Sequence, residues 1–147
     1  DKCEIQRTTF TSNLIESINR NKGWGSSEVV QLAAPCAADR ICFIDRRIVD
    51  AGEDGDWSEM LDVRDSVQQV MVGSVETNKQ VAGDQTNVFT IDSQGVVEPI
   101  EQFSTAAAPI QVTRSNQASA VCLQVSQQSI RMRMRGTGRV VEIVKVS

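Results

Sequence analysis

The fold is decided by the stretch SIRMRMRGTGRVVEIVKV, residues 129–146. Apolar and basic residues alternate strictly over 130–135, which is typical of a strand with one buried and one solvated face. The Gly-Thr-Gly sequence at 136–138 supplies a turn. The following residues, 139–146, are apolar on both faces for much of their length, which is too apolar for a free edge strand. We therefore predict a terminal hairpin whose last strand lies in a sheet centre, under a helix or against another subunit.

Most of the chain upstream of this hairpin and after residue 27 also has the pattern of short strands. Its β-branched residues follow a period of two, and turn residues such as Gly83-Asp84 separate the segments. The predicted strands are 28–34, 42–49, 67–73, 87–92, 96–100, 109–113, 120–126, 129–135 and 139–146. Residues 58–66 are predicted to form one or two helical turns.

The first twenty or so residues have a helical pattern instead. The apolar positions at spacings of seven, four and four residues are Cys3, Phe10, Leu14 and Ile18. They share one face of a helix, and residues 19–23 end it with a cation near the last carbonyls and a glycine suited to a left-handed conformation. We predict an α+β fold in which an N-terminal helix, residues 1–23, packs on an antiparallel sheet or sandwich in a β-rich domain, residues 24–147.

Composition excludes several classes of function. The chain has 147 residues, with 15 Lys and Arg against 19 Asp and Glu, and no histidine. No apolar run reaches the roughly 18 residues that a membrane span needs. Without histidine the commonest general base and transition-metal ligand are missing, and neither a phosphate-binding loop nor a serine elbow is present. We predict no enzymatic activity and no cofactor.

The four cysteines are Cys3, Cys36, Cys42 and Cys122. No C-x-x-C pair and no histidine accompany them, which argues against zinc. Predicted strands flank Cys36 and Cys42, so we expect a disulfide at the neck of their short connection and, by elimination, a second between Cys3 and Cys122. The alternative is four buried free thiols in a cytosolic protein.

The chain begins Asp1-Lys2-Cys3, without methionine. We expect a processed chain or an omitted upstream segment, either a removed signal or an excluded hydrophobic anchor, and both place the protein outside the cytoplasm. A trimmed cytosolic chain is the alternative.

A row of arginines raises nucleic acid as a partner. The row consists of Arg131, Arg133, Arg135 and Arg139. Such a row can follow phosphates, but the net charge is −4 and the chain has no tyrosine and only six other aromatic residues (Phe 4, Trp 2). Because stacking residues are so few, we predict a solvated sheet face with partners such as Glu142, and no nucleic-acid partner.

The acidic stretch DAGEDGDWSE, residues 50–59, raises calcium as a ligand, through Asp50, Asp54 and Asp56. Laid on the EF-hand pattern, Gly52 falls where a ligand belongs and Leu61 replaces the bidentate glutamate. We predict an acidic surface turn here and no metal site; the alternative is a calcium loop of a type other than the EF-hand.

The order of the elements resembles the globular region of pilins and pseudopilins. In that family a helix leads into a strand that ends near a cysteine, followed by a Phe-x-Asp strand and an acidic, glycine-containing loop. The matching segments are 29–36, 43–45 and 50–61, with later matches at 88–95 and 138–143. The resemblance implies a minor pilin or minor pseudopilin of a type IV pilus or a type II secretion system, at the cell surface, with other such subunits as partners. The family's hydrophobic N-terminal half-helix is absent, so membrane contact is expected only through a missing N-terminal segment.

Two apolar surfaces are predicted to serve assembly. They are the helix face Phe10, Leu14 and Ile18 and the last strand at Val141, Ile143, Val144 and Val146. The same residues could instead form a plain intramolecular core. The alternative functions are a monomeric extracytoplasmic binding or sensor module, in which helix and strand bury each other within one chain, and a virion structural protein.

Overall fold

One long helix and eight short strands make up most of what this computed structural model describes, namely residues 2–44, 58–63, 65–67, 88–100, 110–112, 120–138 and 141–146. Helix α1 spans Lys2–Asn21, and a 3₁₀ helix spans Ser58–Val63. The strands are β1 (Ser27–Ala33), β2 (Arg40–Ile44), β3 (Val88–Ile91), β4 (Val97–Pro99), β5 (Ile110–Val112), β6 (Ala120–Gln124), β7 (Ser129–Gly136) and β8 (Val141–Lys145).

Sheet A has the strand order β1-β7-β8-β5. Strand β7 pairs antiparallel with β1, where Met132 lies opposite Val30, and with β8, where Met134 lies opposite Ile143. Strand β5 runs parallel to β8, which departs from the wholly antiparallel sheet that we predicted. The terminal hairpin is confirmed, and β8 lies in the sheet centre, because its backbone pairs on both sides.

Sheet B has the strand order β4-β3-β2-β6, and all its pairs are antiparallel. Strands β1 and β2 follow one another in the chain but lie in different sheets. The connection between them therefore crosses from sheet A to sheet B and does not close a hairpin.

The main hydrophobic core takes side chains from α1, sheet A and sheet B. On β7 the predicted alternation holds, with inward residues Ile130, Met132 and Met134 at most 1% exposed. They pack in one cluster with residues of sheet B such as Ile41 and Phe43. The two sheets therefore share a core, as in a sandwich.

Helix α1 contributes Phe10, Leu14 and Ile18 to this core, each at most 1% exposed. Burial of side chains of this size stabilises a fold by about 2 kcal/mol each. The helix packs on β1 and β7. It also reaches sheet B, because Arg7 Nη2 donates a hydrogen bond of 2.6 Å to the carbonyl oxygen of Pro99 in β4. Since β1 and β4 are edge strands of the described sheets, α1 covers one side of the sandwich.

A second, smaller cluster lies on the other face of sheet B. Val63 and Val67, from the helical segment after residue 57, pack there against Ile44, Phe89 and Ile91. The predicted helical turns at 58–66 are thus found, in the part that the structure describes. Val67 was predicted to begin a strand and is helical instead, and the rest of 67–73 lies outside the described residues.

The end of α1 differs in one detail from the prediction. The helix ends at Asn21, and the left-handed glycine is Gly25, at φ 86°, in place of Gly23. The extra residues let the connection between α1 and β1 reach the end of strand β7. There Gly136 N donates a hydrogen bond of 2.8 Å to Ser26 O, and Gly138 N donates one of 2.9 Å to Lys22 O.

Gly136 is the residue that this close approach requires. A Cβ at this position would overlap the carbonyl oxygens of Asn21 and Gly23 and lie 2.8 Å from the carbonyl carbon of Lys22. These are backbone atoms at the end of the helix, which cannot move aside as a flexible side chain can.

We predict that Gly136→Ala lowers the free energy of unfolding by about 1–3 kcal/mol, because the added methyl group separates the helix end from β7. Equilibrium urea denaturation measures this change. Gly23→Ala is the matched control, since a Cβ there meets nothing within 4 Å, and its effect should stay within about 0.5 kcal/mol. Equal effects of the two substitutions would contradict the role given to Gly136.

Candidate functional site

The predicted assembly residues lie mostly in the interior. The three helix residues and, from the last strand, Val141 and Ile143 are at most 1% exposed and belong to the main core. Val144 and Val146 are half-buried. Contact with a neighbouring subunit stays a prediction for these residues, and Val144 and Val146 are the two that keep accessible surface.

The outer face of sheet A carries the arginine row. Arg131, Arg133 and Arg135 all project outward from β7 and are exposed. Arg135 pairs with the Glu142 carboxylate, the partner that we predicted, and Arg133 Nη1 donates a hydrogen bond of 3.1 Å to Ser27 Oγ. No atom of the described residues accepts a hydrogen bond from the Arg131 guanidinium. The row is thus partly neutralised at Arg135 and open at Arg131. Arg139, the fourth residue of the predicted row, lies outside the described residues.

A polar cluster fixes the end of α1 to the start of β1. Asn21 Nδ2 donates to Glu28 Oε1 at 2.7 Å and to Ser17 O at 2.9 Å, and Ser26 Oγ donates to Asn21 Oδ1 at 2.9 Å. Arg20 also pairs with Glu28 at 2.9 Å. The hydrogen bond from Asn21, with the help of Arg20, holds the pKa of the Glu28 carboxyl below its ordinary value. The cluster has the chemistry of a structural contact, because each of its polar groups is used within the chain.

A second ion pair joins β2 to the 3₁₀ helix. Arg40 Nη2 lies 2.7 Å from Asp62 Oδ2, and Nη1 donates to Oδ1 at 3.3 Å. Hydrogen bonding to Arg40 lowers the pKa of the Asp62 carboxyl. This bidentate contact orients the Arg40 guanidinium beside strand β6.

All four cysteines are in disulfides, but the predicted pairing is wrong. The structure pairs Cys3 with Cys36 and Cys42 with Cys122. The predicted Cys36–Cys42 disulfide assumed that the strands on either side of it pair with each other, but β1 and β2 lie in different sheets. Cys42 instead faces Cys122 directly across the β2–β6 pair, and Cys36, just beyond β1, lies beside the first turn of α1.

The two disulfides close loops with sequence separations of 33 and 80 residues. In the chain-entropy model each is worth about 4 kcal/mol. Two disulfides and no free cysteine indicate an oxidising, extracytoplasmic environment for this protein.

The residues considered for calcium, Asp50, Asp54 and Asp56, lie outside the described residues. Within the described ranges, no group of three or more His, Cys, Asp or Glu side chains could hold a metal ion.

A cleft of about 700 Å³ lies where sheet A meets the edge of sheet B. Its cationic residues are Arg40, Arg131 and Lys145, and its uncharged polar residues are Gln31, Gln124, Ser126, Gln127 and Ser129. Sequence reasoning missed this site, because the three cations are far apart in the chain and only the sheet pairing brings them to one cleft.

One wall of the cleft is an unusual turn between β6 and β7. Ser126 and Ser129 exchange backbone hydrogen bonds of 2.9 and 3.0 Å around Gln127 and Gln128, which have φ values of 51° and 65°. Two left-handed residues make a tight turn of the kind that usually selects Asn-Gly. For residues with side chains this conformation costs roughly 1–2 kcal/mol each. No glycine marks the turn in the sequence, and strain of this kind is often found at ligand sites.

The two disulfides differ in access to solvent. Cys3 and Cys36 are both exposed, whereas Cys42 is fully buried. Because thiol–disulfide exchange needs access to a sulfur atom, we predict that a mild thiol reductant opens Cys3–Cys36 first under native conditions. Alkylation at timed intervals and peptide mass spectrometry would place the first label on these two residues. Reduction in denaturant is the control, where the difference in rate should disappear. Earlier labelling of Cys42 and Cys122 in the native protein would contradict the prediction.

Comparison with known protein families, with curated proteins and with solved structures gave no match. Among the residues that the structure describes, no helix is long and apolar enough to cross a membrane. The functional proposal therefore depends on the geometry of the chain's own residues.

Proposed function

We propose that this chain is a non-enzymatic structural subunit at the cell surface, a minor pilin or minor pseudopilin of a type IV pilus or a type II secretion pseudopilus. The observation that carries the proposal is the way in which α1 is seated. Its buried residues begin at Phe10 and continue to Asn21, whereas residues 2–9 are exposed apart from the half-buried Arg7. The helix is thus packed on the β-rich body along its second half and tied to it near its start by the Cys3–Cys36 disulfide and Arg7, while the other side chains of its first turns are exposed.

Helix α1 is attached to the β-rich body by its buried apolar face, by the hydrogen-bonded end at Asn21 and by the Cys3–Cys36 disulfide. A helix that contacts a neighbouring subunit would need such an attachment. In the pilin family an upstream apolar half-helix builds the filament core, and an upstream segment of this kind would anchor the chain before assembly. The two disulfides fit a location of this subunit outside the cytoplasm.

The exposed turns of α1 offer one large apolar contact, Ile5, which is 64% exposed. We assign it to the packing of α1 against a neighbouring subunit. Val144 on β8 and Val146 just after it are the candidate contacts from the last strand.

A monomeric extracytoplasmic binding module is the second candidate. It is favoured by the burial of the α1 face and of Val141 and Ile143 within one chain, since these apolar side chains then need no partner subunit. The polar cleft beside Arg131 would be its ligand site.

Electron microscopy of the full-length protein recovered from its source, with light scattering on the same preparation, distinguishes the two candidates. The proposal predicts that the subunit is found in filaments. A monomer that is absent from every filament would contradict it and favour the binding module.

A pair of variants in the source organism sharpens the test. We predict that Ile5→Glu prevents incorporation into filaments, because a buried, unpaired carboxylate is costly at a helix contact. Leu61→Glu is the matched control, since Leu61 is 65% exposed and lies on the 3₁₀ helix beside the other face of sheet B. Normal incorporation of Ile5→Glu, or equal loss with both variants, would rule out the assigned contact.

A further inference from the structure

The cleft where sheet A meets the edge of sheet B shares no residue with the helix surface assigned to assembly. Its lining comes from sheet A, from Arg40 of β2, from β6 and from the turn between β6 and β7. Its volume of about 700 Å³ lies within the 300–1,000 Å³ typical of pockets for small ligands.

The charge of this cleft is opposite to that of the protein. The net charge of the chain is −4, yet the described lining contains Arg40, Arg131 and Lys145 and no carboxylate. Asp62 neutralises Arg40 from outside the lining. The Arg131 guanidinium has no acceptor among the described residues, so its planar set of donors is open to a carboxylate or phosphate group.

The rest of the lining is rich in groups that recognise hydroxyls. Carboxamides and hydroxyls can both donate and accept hydrogen bonds, and five such side chains line the cleft. Some of these groups are already oriented by the chain, since Gln31 Nε2 donates to Ser129 Oγ at 3.3 Å and Gln124 Nε2 donates to Asp39 O at 3.0 Å. Their amide oxygens are left as acceptors for a ligand hydroxyl.

We propose that this cleft binds an acidic saccharide, with Arg131 on the carboxylate and the glutamine and serine side chains on the sugar hydroxyls. A bare anion would contact only the cationic residues of the lining, and a neutral sugar would make no use of the charge on Arg131. A ligand with both an acid group and several hydroxyls matches both halves of the lining. Lys145 also lines the cleft, and the strained turn holds Gln127 at its wall.

The test uses a galacturonic acid disaccharide as the probe. Its binding to the intact, disulfide-bonded protein is measured by NMR chemical-shift titration. We expect saturable binding, with shifts confined to the cleft. The neutral galactose disaccharide, inorganic phosphate and a short glutamate peptide should each bind at least about tenfold more weakly, because each lacks half of the recognised chemistry.

Two variants locate the site. Arg131→Gln should weaken binding of the acidic disaccharide by about tenfold or more, because a charge-assisted hydrogen bond is lost. Arg133→Gln is the matched control: it lies on the same face of β7, is equally exposed, changes the net charge equally and does not line the cleft. It should leave the affinity within about twofold. Thermal unfolding of both variants checks that the fold is kept.

Several results would overturn the proposal. No saturable binding at millimolar disaccharide would do so. Equal weakening by the two arginine variants would show only a diffuse attraction to positive charge. Phosphate or the glutamate peptide binding as well as the acidic disaccharide would show recognition of charge without the sugar. None of these results depends on whether the chain assembles into filaments.

Discussion

The end of helix α1 must lie directly against the end of strand β7, and much of the described fold depends on this contact. A glycine at position 136 lets the backbones approach, and hydrogen bonds to Ser26 O and Lys22 O hold them there. With its last turn fixed, α1 can run across the β1–β7 pair and reach β4 through Arg7. The helix therefore covers one side of the space between the sheets, and its residues at four-residue spacing complete the core.

The same arrangement separates the side chains that form the core from those that stay exposed. The inward faces of α1 and β8 form the core, so these side chains contribute to stability within one chain. Among the exposed surfaces that the structure describes are the first turns of α1, and the outer end of sheet A with the neighbouring cleft. The first suits contact with another subunit and the second a small ligand. Two disulfides hold the sequence-distant segments that build these places, which suits a protein working outside the cytoplasm.

Local patterns in the sequence were enough to predict the helix, the terminal hairpin and the α+β class. The alternation at 130–135 and the spacing of Phe10, Leu14 and Ile18 each report which side of one element is buried. They do not report which elements are neighbours. Strand β1 pairs with β7, about 100 residues later in the chain, and the disulfide prediction failed because it assumed that consecutive strands pair. The cleft was missed for the same reason, and its turn carries two glutamines where glycine would have given a signal.

We expect α1 and sheet A to form one cooperative unit within a single chain. Native-state hydrogen exchange measures this directly, since amides of one unit open with the same free energy. The amides of Leu14 and Ile18 should exchange with the same opening free energy as those of Met132 and Met134. Rapid exchange in α1 while β7 stays protected would show that the helix opens separately, and that the fold does not depend on the contact between α1 and β7.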